Sequence, residues 1–322
     1  VTASRTQPTR PARPRDGVDA GWISVHLFHA GDLDELITDL VAPLLADLAA
    51  DIDGLFFLRY WEGGPHLRLR LRPRHSHHAD RLRRIVEARA RDHLDVHPSV
   101  RRLTAHDYRA HAAHQASRER LPKYDSRLHA NDSVESIAYR PEHHAYGNAA
   151  CMAAFESHFT ASSRLAMDVL ATRPTQGQRA ALCLAAITIS LAASALRPGD
   201  LPAVSLPPAV RDLFDQRRDD LLHQTRLLWT TRPGGTLATW SESVHTLRRA
   251  LARNRYAPDD PASPLSFLAE AVPPHQRHVA EALLRCTHLL SNRLGLGSTA
   301  EHRLALLAAH ALSVLHEAGD LP

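Results

Sequence analysis

Residues 66–72, HLRLRLR, place a ring or a guanidinium at every second position and a leucine between. Successive side chains of an extended strand point to opposite faces, so His66, Arg68, Arg70 and Arg72 share one face and Leu67, Leu69 and Leu71 the other. A row of guanidinium forks on a sheet can bind peptide carbonyls or a carboxylate. The plainer reading is the solvated face of an antiparallel edge hairpin. Tyr139 and Glu142 flank Pro141 in the segment YRPEHHAYG, residues 139–147. The proline ends a strand and fixes a turn, and Glu142 is placed either to act on a substrate or to tie down that turn by accepting backbone N–H bonds. His288 lies among Leu284, Leu289 and Leu290 at helical spacing. An imidazole there can give or take a proton near neutrality, or can simply bond a neighbouring helix. Ser163, on an earlier helix, offers a hydrogen bond to a cleft or is an ordinary buried helix serine.

Other chemistries are missing from the sequence. His75, His77 and His78 cluster in HSHH beside Pro73, but no carboxylate or cysteine stands at zinc-site spacing, and no metal is expected. HExxH, GxSxG, GxGxxG and Walker loops are absent, which removes the common hydrolase, dinucleotide-binding and phosphate-binding readings. No cofactor is implied.

The elements that must position these groups follow from periodicity. Residues 22–28, WISVHLF, alternate as a strand, and 33–50 repeat as a helix capped by Asp32. Residues 56–60 form a second strand, Gly63-Gly64-Pro65 its turn, and 66–72 a third. Residues 80–93 are amphipathic and helical, and 100–110 with 134–139 are expected to add two further strands. From residue 148 the pattern turns helical, over 149–170, 176–196, 209–229, 237–253, 275–294 and 299–317, with Pro or Gly between. The class is α+β, a strand-rich front and a helical back sharing one core with a cleft where they meet.

The chain has 322 residues, 44% hydrophobic and 23% charged, as a soluble globular protein does. Lys123 is the single lysine, a bias towards arginine that fits a GC-rich genome better than a chosen guanidinium chemistry. A net charge of +4 without interleaved basic and aromatic residues gives no case for nucleic acid. Cys151, Cys183 and Cys286 are odd in number and far apart, and read as free thiols of a reducing cytoplasm. The apolar run 179–196 is rich in alanine and bounded by Arg179 and Arg197, as in a buried helix rather than a membrane span. Residues 1–20, rich in proline and arginine, are expected to be a flexible tail.

Four segments in order carry a resemblance: 22–28 with its helix, the FFLRY and HLRLR hairpin of 56–72, YRPEHHAYG of 139–147, and THLLSNRLG of 287–295. Together the chain resembles the C-terminal glutamate-elimination domain of lantibiotic dehydratases and its stand-alone thiopeptide relatives, the pyridine synthases. The resemblance implies one elimination-domain-like α+β domain over 21–322, strand-rich over 21–147 and helical over 148–322. It implies work on a dehydrated, azole-containing precursor peptide with an acidic leader, with no membrane partner and a homodimer left open. In the full dehydratases the domain removes glutamate from glutamylated Ser or Thr. The stand-alone relatives join two dehydroalanines in a formal aza-[4+2] cycloaddition, then expel water and the leader to leave a pyridine-centred macrocycle.

Two departures from the family pattern favour the second activity. Ala145 stands where the elimination domain has an arginine suited to gripping a glutamate carboxylate, and Ser162-Ser163 replaces an Asp-Ser pair. The resemblance then casts His288, Tyr139, Glu142 and Ser163 as catalytic donors or acceptors, and Arg68, Arg70, Tyr60 and His66 as substrate-binding. Arg83 and Arg84, on an arginine-rich helix beside the hairpin, are cast as leader-binding, against the plainer reading of a solvated helix face. A split glutamate eliminase and a catalytically silent peptide-binding scaffold remain as alternatives.

Overall fold

The computed structural model describes residues 21–119, 123–194, 196–260, 263–270 and 272–321, so the tail expected over 1–20 lies outside the described residues. Strand β1 (Ile23–Phe28) leads into helix α1 (33–47), whose N-terminus is capped by the Asp32 carboxylate accepting from the Asp34 N–H. The middle of α1, Leu36–Val41, is π-helical, and its Leu36, Ile37, Leu40 and Val41 are buried. Strands β2 (Ile52–Tyr60) and β3 (His66–Pro73) make the expected hairpin, followed by α2 (Ala79–Val96), α3 (Ala105–Glu119) and the short strand β4 (Ser133–Ser136). A single helical turn, His143–Tyr146, precedes the helical half. That half holds α4 (Ala149–Ala171), α5 (Gln176–Ala193), α6 (Pro208–Gln216), α7 (Arg218–Thr230), α8 (Thr236–Arg253), α9 (Pro274–Arg293) and α10 (Ser298–Glu317).

The four strands form one antiparallel sheet in the order β2-β3-β1-β4. Its register sets His26 of β1 opposite Arg68 of β3, which is itself opposite Leu58 of β2. One face therefore carries His26, Phe56, Leu58, His66, Arg68 and Arg70. The other carries Val25, Leu27, Phe57, Leu67, Leu69 and Leu71, all buried with α1 and α2 residues such as Leu40, Leu44, Leu82 and Val86 in one core.

Two expectations need correction. Where a strand was expected over 100–110, the chain enters a helix at residue 105: Thr104 accepts from the Asp107 N–H and donates to its carboxylate, and Tyr108, Ala112 and Ala116 are buried at every fourth position. The stretch 209–229 is two helices, because the chain turns at Arg217.

The helical half meets the sheet at an edge. As an outer strand, β2 leaves alternate backbone groups unpaired, and side chains of α4 and α9 satisfy them. Thr160 accepts from Leu55 N–H at 3.2 Å and Ser163 from Phe57 N–H at 3.2 Å. Arg293 Nε donates to the Phe57 carbonyl at 3.0 Å, and the Asn292 amide both accepts from Arg59 N–H and donates to the Arg59 carbonyl, each at 2.9 Å. Arg59 then bonds Asp34 and donates from Nε to the Arg293 carbonyl, at the C-terminal end of α9. Replacing Asn292 by Leu leaves two backbone groups of β2 without partners, at about 1–3 kcal/mol each. Urea unfolding followed by circular dichroism is expected to show a loss of about 2–6 kcal/mol; an unchanged midpoint would refute this role for Asn292.

Candidate active site

The polar face of the sheet is not open to solvent. The segment 137–146 and Phe159 of α4 close over it, leaving a cleft of about 420 Å³ walled by His26, Phe56, Leu58, Arg68, Arg70, Tyr139, Arg140, Glu142 and Tyr146. Arg70 is 7% exposed, His26 4% and His66, beneath them, 1%. The reading of this face as solvated is thereby set aside.

Hydrogen bonds fix the state of the two imidazoles. His66 Nδ1 is 2.8 Å from the Gly64 carbonyl, which only accepts, so Nδ1 carries the proton and Nε2 accepts from Arg68 Nε at 3.2 Å. His26 Nε2 likewise accepts from Arg70 Nη2 at 3.1 Å, and the two rings stack with centroids 4.9 Å apart. Burial, then the nearby guanidinium of Arg70, holds His26 down at about 2; burial, with Arg68 adding to it, holds His66 at about 3. Both are neutral at physiological pH. Burial also lowers Arg70 to about 10, which leaves it charged. Among the described residues no carboxylate forms an ion pair with Arg70. Arg68 lies 3.4 Å above the Tyr60 ring and 3.8 Å from Glu62.

Across the cleft the Tyr139 hydroxyl donates to Glu156 Oε1 at 3.2 Å. Burial and then the Glu156 charge push the Tyr139 phenol well above its ordinary range, so it stays protonated. Burial raises Glu156 as well, although Trp22, Tyr139, Arg72 and His143 favour its anion. Tyr146, raised by burial, also keeps its proton. Glu142 sits at the exposed rim.

The structure thus gathers Tyr139, Glu142, Arg68, Arg70, Tyr60 and His66 at or beside one cleft, and leaves five other positions apart from its walls. Ser163 is wholly buried and spent on Phe57 N–H and Arg293. His288 is not a cleft wall; its Nδ1 lies 2.7 Å from Glu301 Oε2 between α9 and α10. Ala145 is buried, is not a wall of the cleft, and its carbonyl accepts from the Tyr256 hydroxyl. Arg83 pairs with Asp80, and its neighbours Arg81, Arg89 and Arg91 with Asp51, Asp47 and Glu87. Arg84 is exposed with no ion pair among the described residues.

Sequence reasoning missed His26 and Glu156. His26 belongs to the outward set Ser24, His26, Phe28, but only strand pairing reveals that it faces Arg68. Glu156 did leave a signal, as a lone acid in the stripe Met152, Phe155, Phe159 of α4. A third cluster is a false lead: Ser99, His29 and Asp132 meet, but serine and aspartate both approach the same His29 Nδ1, at 3.1 and 2.9 Å, so the ring cannot relay a proton between them. Among the described residues no three His, Cys, Asp or Glu side chains are arranged to hold a metal ion, the three cysteines are buried and free, and no helix is long and apolar enough to cross a membrane.

This sheet, edge-sealed by a helical bundle and covered by a tyrosine-bearing strap, has known relatives. Residues 22–312 match the family described as lantibiotic biosynthesis dehydratase C-term, and the chain belongs to that family. Among solved structures it is similar to the pyridine synthase TbtD from thiomuracin biosynthesis, with a TM-score of 0.69 and 18% identity over 92% of this chain and 99% of that one. It is also similar to TsrL, with a TM-score of 0.61 and 18% identity over 92% and 95% of the two chains. The tRNA-dependent lantibiotic dehydratase MibB from Microbispora sp. 107891 gives a TM-score of 0.58 and 19% identity, covering 97% of this chain but 29% of that one. No curated protein matches the sequence.

The buried neutral histidines make stability depend on pH. Unfolded, each titrates near its ordinary 6.5; folded, each resists protonation down to about 2 or 3. Their contribution is whole above pH 6.5 and falls as pH drops below it, by up to about 1.4 kcal/mol per pH unit for each. Urea midpoints taken between about pH 7.5 and about pH 5 are expected to fall, and less steeply in His26→Gln. Parallel slopes for the two proteins would show that His26 titrates normally in the fold.

Proposed function

We propose that this protein matures a thiopeptide: it joins two dehydroalanines of a leader-bearing precursor by formal [4+2] cycloaddition, then releases water and the leader to form a pyridine-centred macrocycle. The observation that carries this reading is the protonation state of the cleft. Its floor offers the guanidinium donors Arg68 and Arg70, its imidazoles are neutral and already accepting bonds, and the facing wall holds the protonated phenol of Tyr139 on Glu156. Cycloaddition asks mainly that two alkenes and an intervening amide be held in contact, with a donor at the amide oxygen to favour the iminol form. Positioned acids and bases add about 10²- to 10⁴-fold to the later proton transfers. The guanidinium groups hold core-peptide carbonyls, and Tyr139 supplies a proton to the departing groups. No cofactor enters the scheme.

A second reading, removal of glutamate from glutamylated Ser or Thr, draws support from Arg70, a buried cation with no carboxylate ion-paired to it among the described residues. It is weakened by the floor's want of a strong base to take the α-proton.

One assay separates the readings. Incubated with a linear, azole-containing, dehydrated precursor, the protein is expected to give macrocycle and released leader amide by mass spectrometry, and Arg70→Met to lower kcat/KM by about 10²-fold. Dehydration of a glutamylated precursor instead would establish the eliminase, and leader binding without either product a scaffold. Leader docking on α2 is expected to be modest, since most of its arginines are paired with acids. Arg83→Glu with Arg84→Glu should weaken leader affinity in fluorescence polarisation about tenfold, the screened effect of reversing two surface charges; unchanged affinity places the leader elsewhere.

A further inference from the structure

We propose that Glu156 is the proton store behind Tyr139, a positioning residue that decides whether the phenol presents a proton or only lone pairs to the cleft. The inference deepens the ring-closing reading above and rests on it for its substrate. Tyr139 lines the cleft, while Glu156 is 5% exposed and sits behind it, 3.2 Å from the phenol oxygen. A phenol has one proton. While Glu156 is a carboxylate, Tyr139 must spend that proton on it; once Glu156 is a carboxylic acid it donates to the phenol oxygen, and the Tyr139 proton turns free for a substrate.

The surroundings allow both states. Facing Glu156 are Tyr139 and His143 from the strap, Arg72 from β3 and Trp22 from the chain before β1. Arg72 is the strongest charge among them, but its Nη1 stands 3.9 Å from Glu156 Oε2 while its Nε is bonded at 2.6 Å to Asp53 of β2. It holds the Glu156 anion only loosely. Burial, which favours the neutral acid, is the larger influence.

The relay balances through both eliminations. In the first, Tyr139 gives its proton to the hydroxyl oxygen of the cycloadduct, the C–O bond breaks with its electron pair, and water departs. The Glu156 proton moves onto the phenol oxygen. A ring C–H then releases a proton, its electron pair forms the new π bond, and that proton returns through Tyr139 to Glu156. Loss of the leader repeats the sequence with a C–N bond, the nitrogen leaving as a primary amide. Each elimination gives one proton and takes one, so no oxidant, reductant or net acid is needed.

Two measurements test the relay, the first without substrate. Infrared difference spectra across pH are expected to show a protonated-carboxyl band that persists above the usual carboxylate range, is absent in Glu156→Gln and is shifted in Tyr139→Phe. In the second, turnover of the dehydrated azole-containing precursor is expected to fall with rising pH by about tenfold per unit above the Glu156 titration. Glu156→Gln, which still donates to the phenol oxygen but cannot pass a proton, is expected to be at least about tenfold slower and flat across that range. A purely structural Glu156 would leave the pH profile of the variant like that of the wild type, and that result overturns the proposal, as does the absence of a band that depends on Glu156. If the band behaves as expected but no precursor is cyclised, the ring-closing reading fails and the pair is structural. Band and profile are read on different samples, so the two failures stay distinct.

Discussion

The outer edge of β2 is the constraint on which the rest of the molecule depends. An unpaired strand edge invites association with other strands, and here five of its backbone groups are taken by Thr160, Ser163, Asn292 and Arg293. These bonds join residues more than 100 positions apart and lock α4 and α9 against the sheet. The cleft depends on that joint, because Phe159 and Glu156 belong to the helix that supplies Thr160 and Ser163. Arg293 shows how tightly the joint is drawn: it is fully buried, with serines and a carbonyl rather than a carboxylate as partners.

A second consequence is electrostatic. The sheet face above this joint concentrates guanidinium groups in a half-enclosed space where opposite charge is scarce. Imidazoles placed among them are driven neutral and act as acceptors that hold the arginines in place. His26 and His66 are thus parts of the arginine scaffold rather than bases. Tyr139 and Glu156 occupy the other wall, where burial rather than charge dominates, and there a proton can rest on oxygen.

Much of this was legible in the sequence, and the rest was hidden for definite reasons. The hairpin, its alternating faces and the helical back follow from periods of two and of 3.6, which local residues set. The arginine row was visible too, but its burial was not, because the strap that covers it lies some 70 positions further along. Residues 100–110 were taken for a strand because the helix that begins at 105 fills its buried positions with Tyr108, Ala112 and Ala116, too small or too polar to advertise a helix, although Thr104 and Asp107 spell its cap. Ser163 and His288 were placed near a site by motif alone. Their actual partners, a strand edge and Glu301, depend on tertiary contacts that motif spacing does not encode.

The division of labour among the motif residues limits what family resemblance can say about chemistry. Arg59 of FFLRY bonds Asp34 and the end of α9, and Asn292 and Arg293 of the NRL segment seal β2. These residues build the scaffold and would serve any reaction performed on it. The groups that can touch a substrate lie instead on the β3 face and the strap, backed by His26, whose segment matched without its side chain being singled out, and by Glu156, from a helix that no motif singled out. Position 145 makes the same point from the other side. A missing arginine there was read as a lost grip on glutamate, and Ala145 itself is buried outside the cleft walls. The choice of reaction therefore turns on how protons are held around Tyr139 and Arg70, and not on the count of motif arginines.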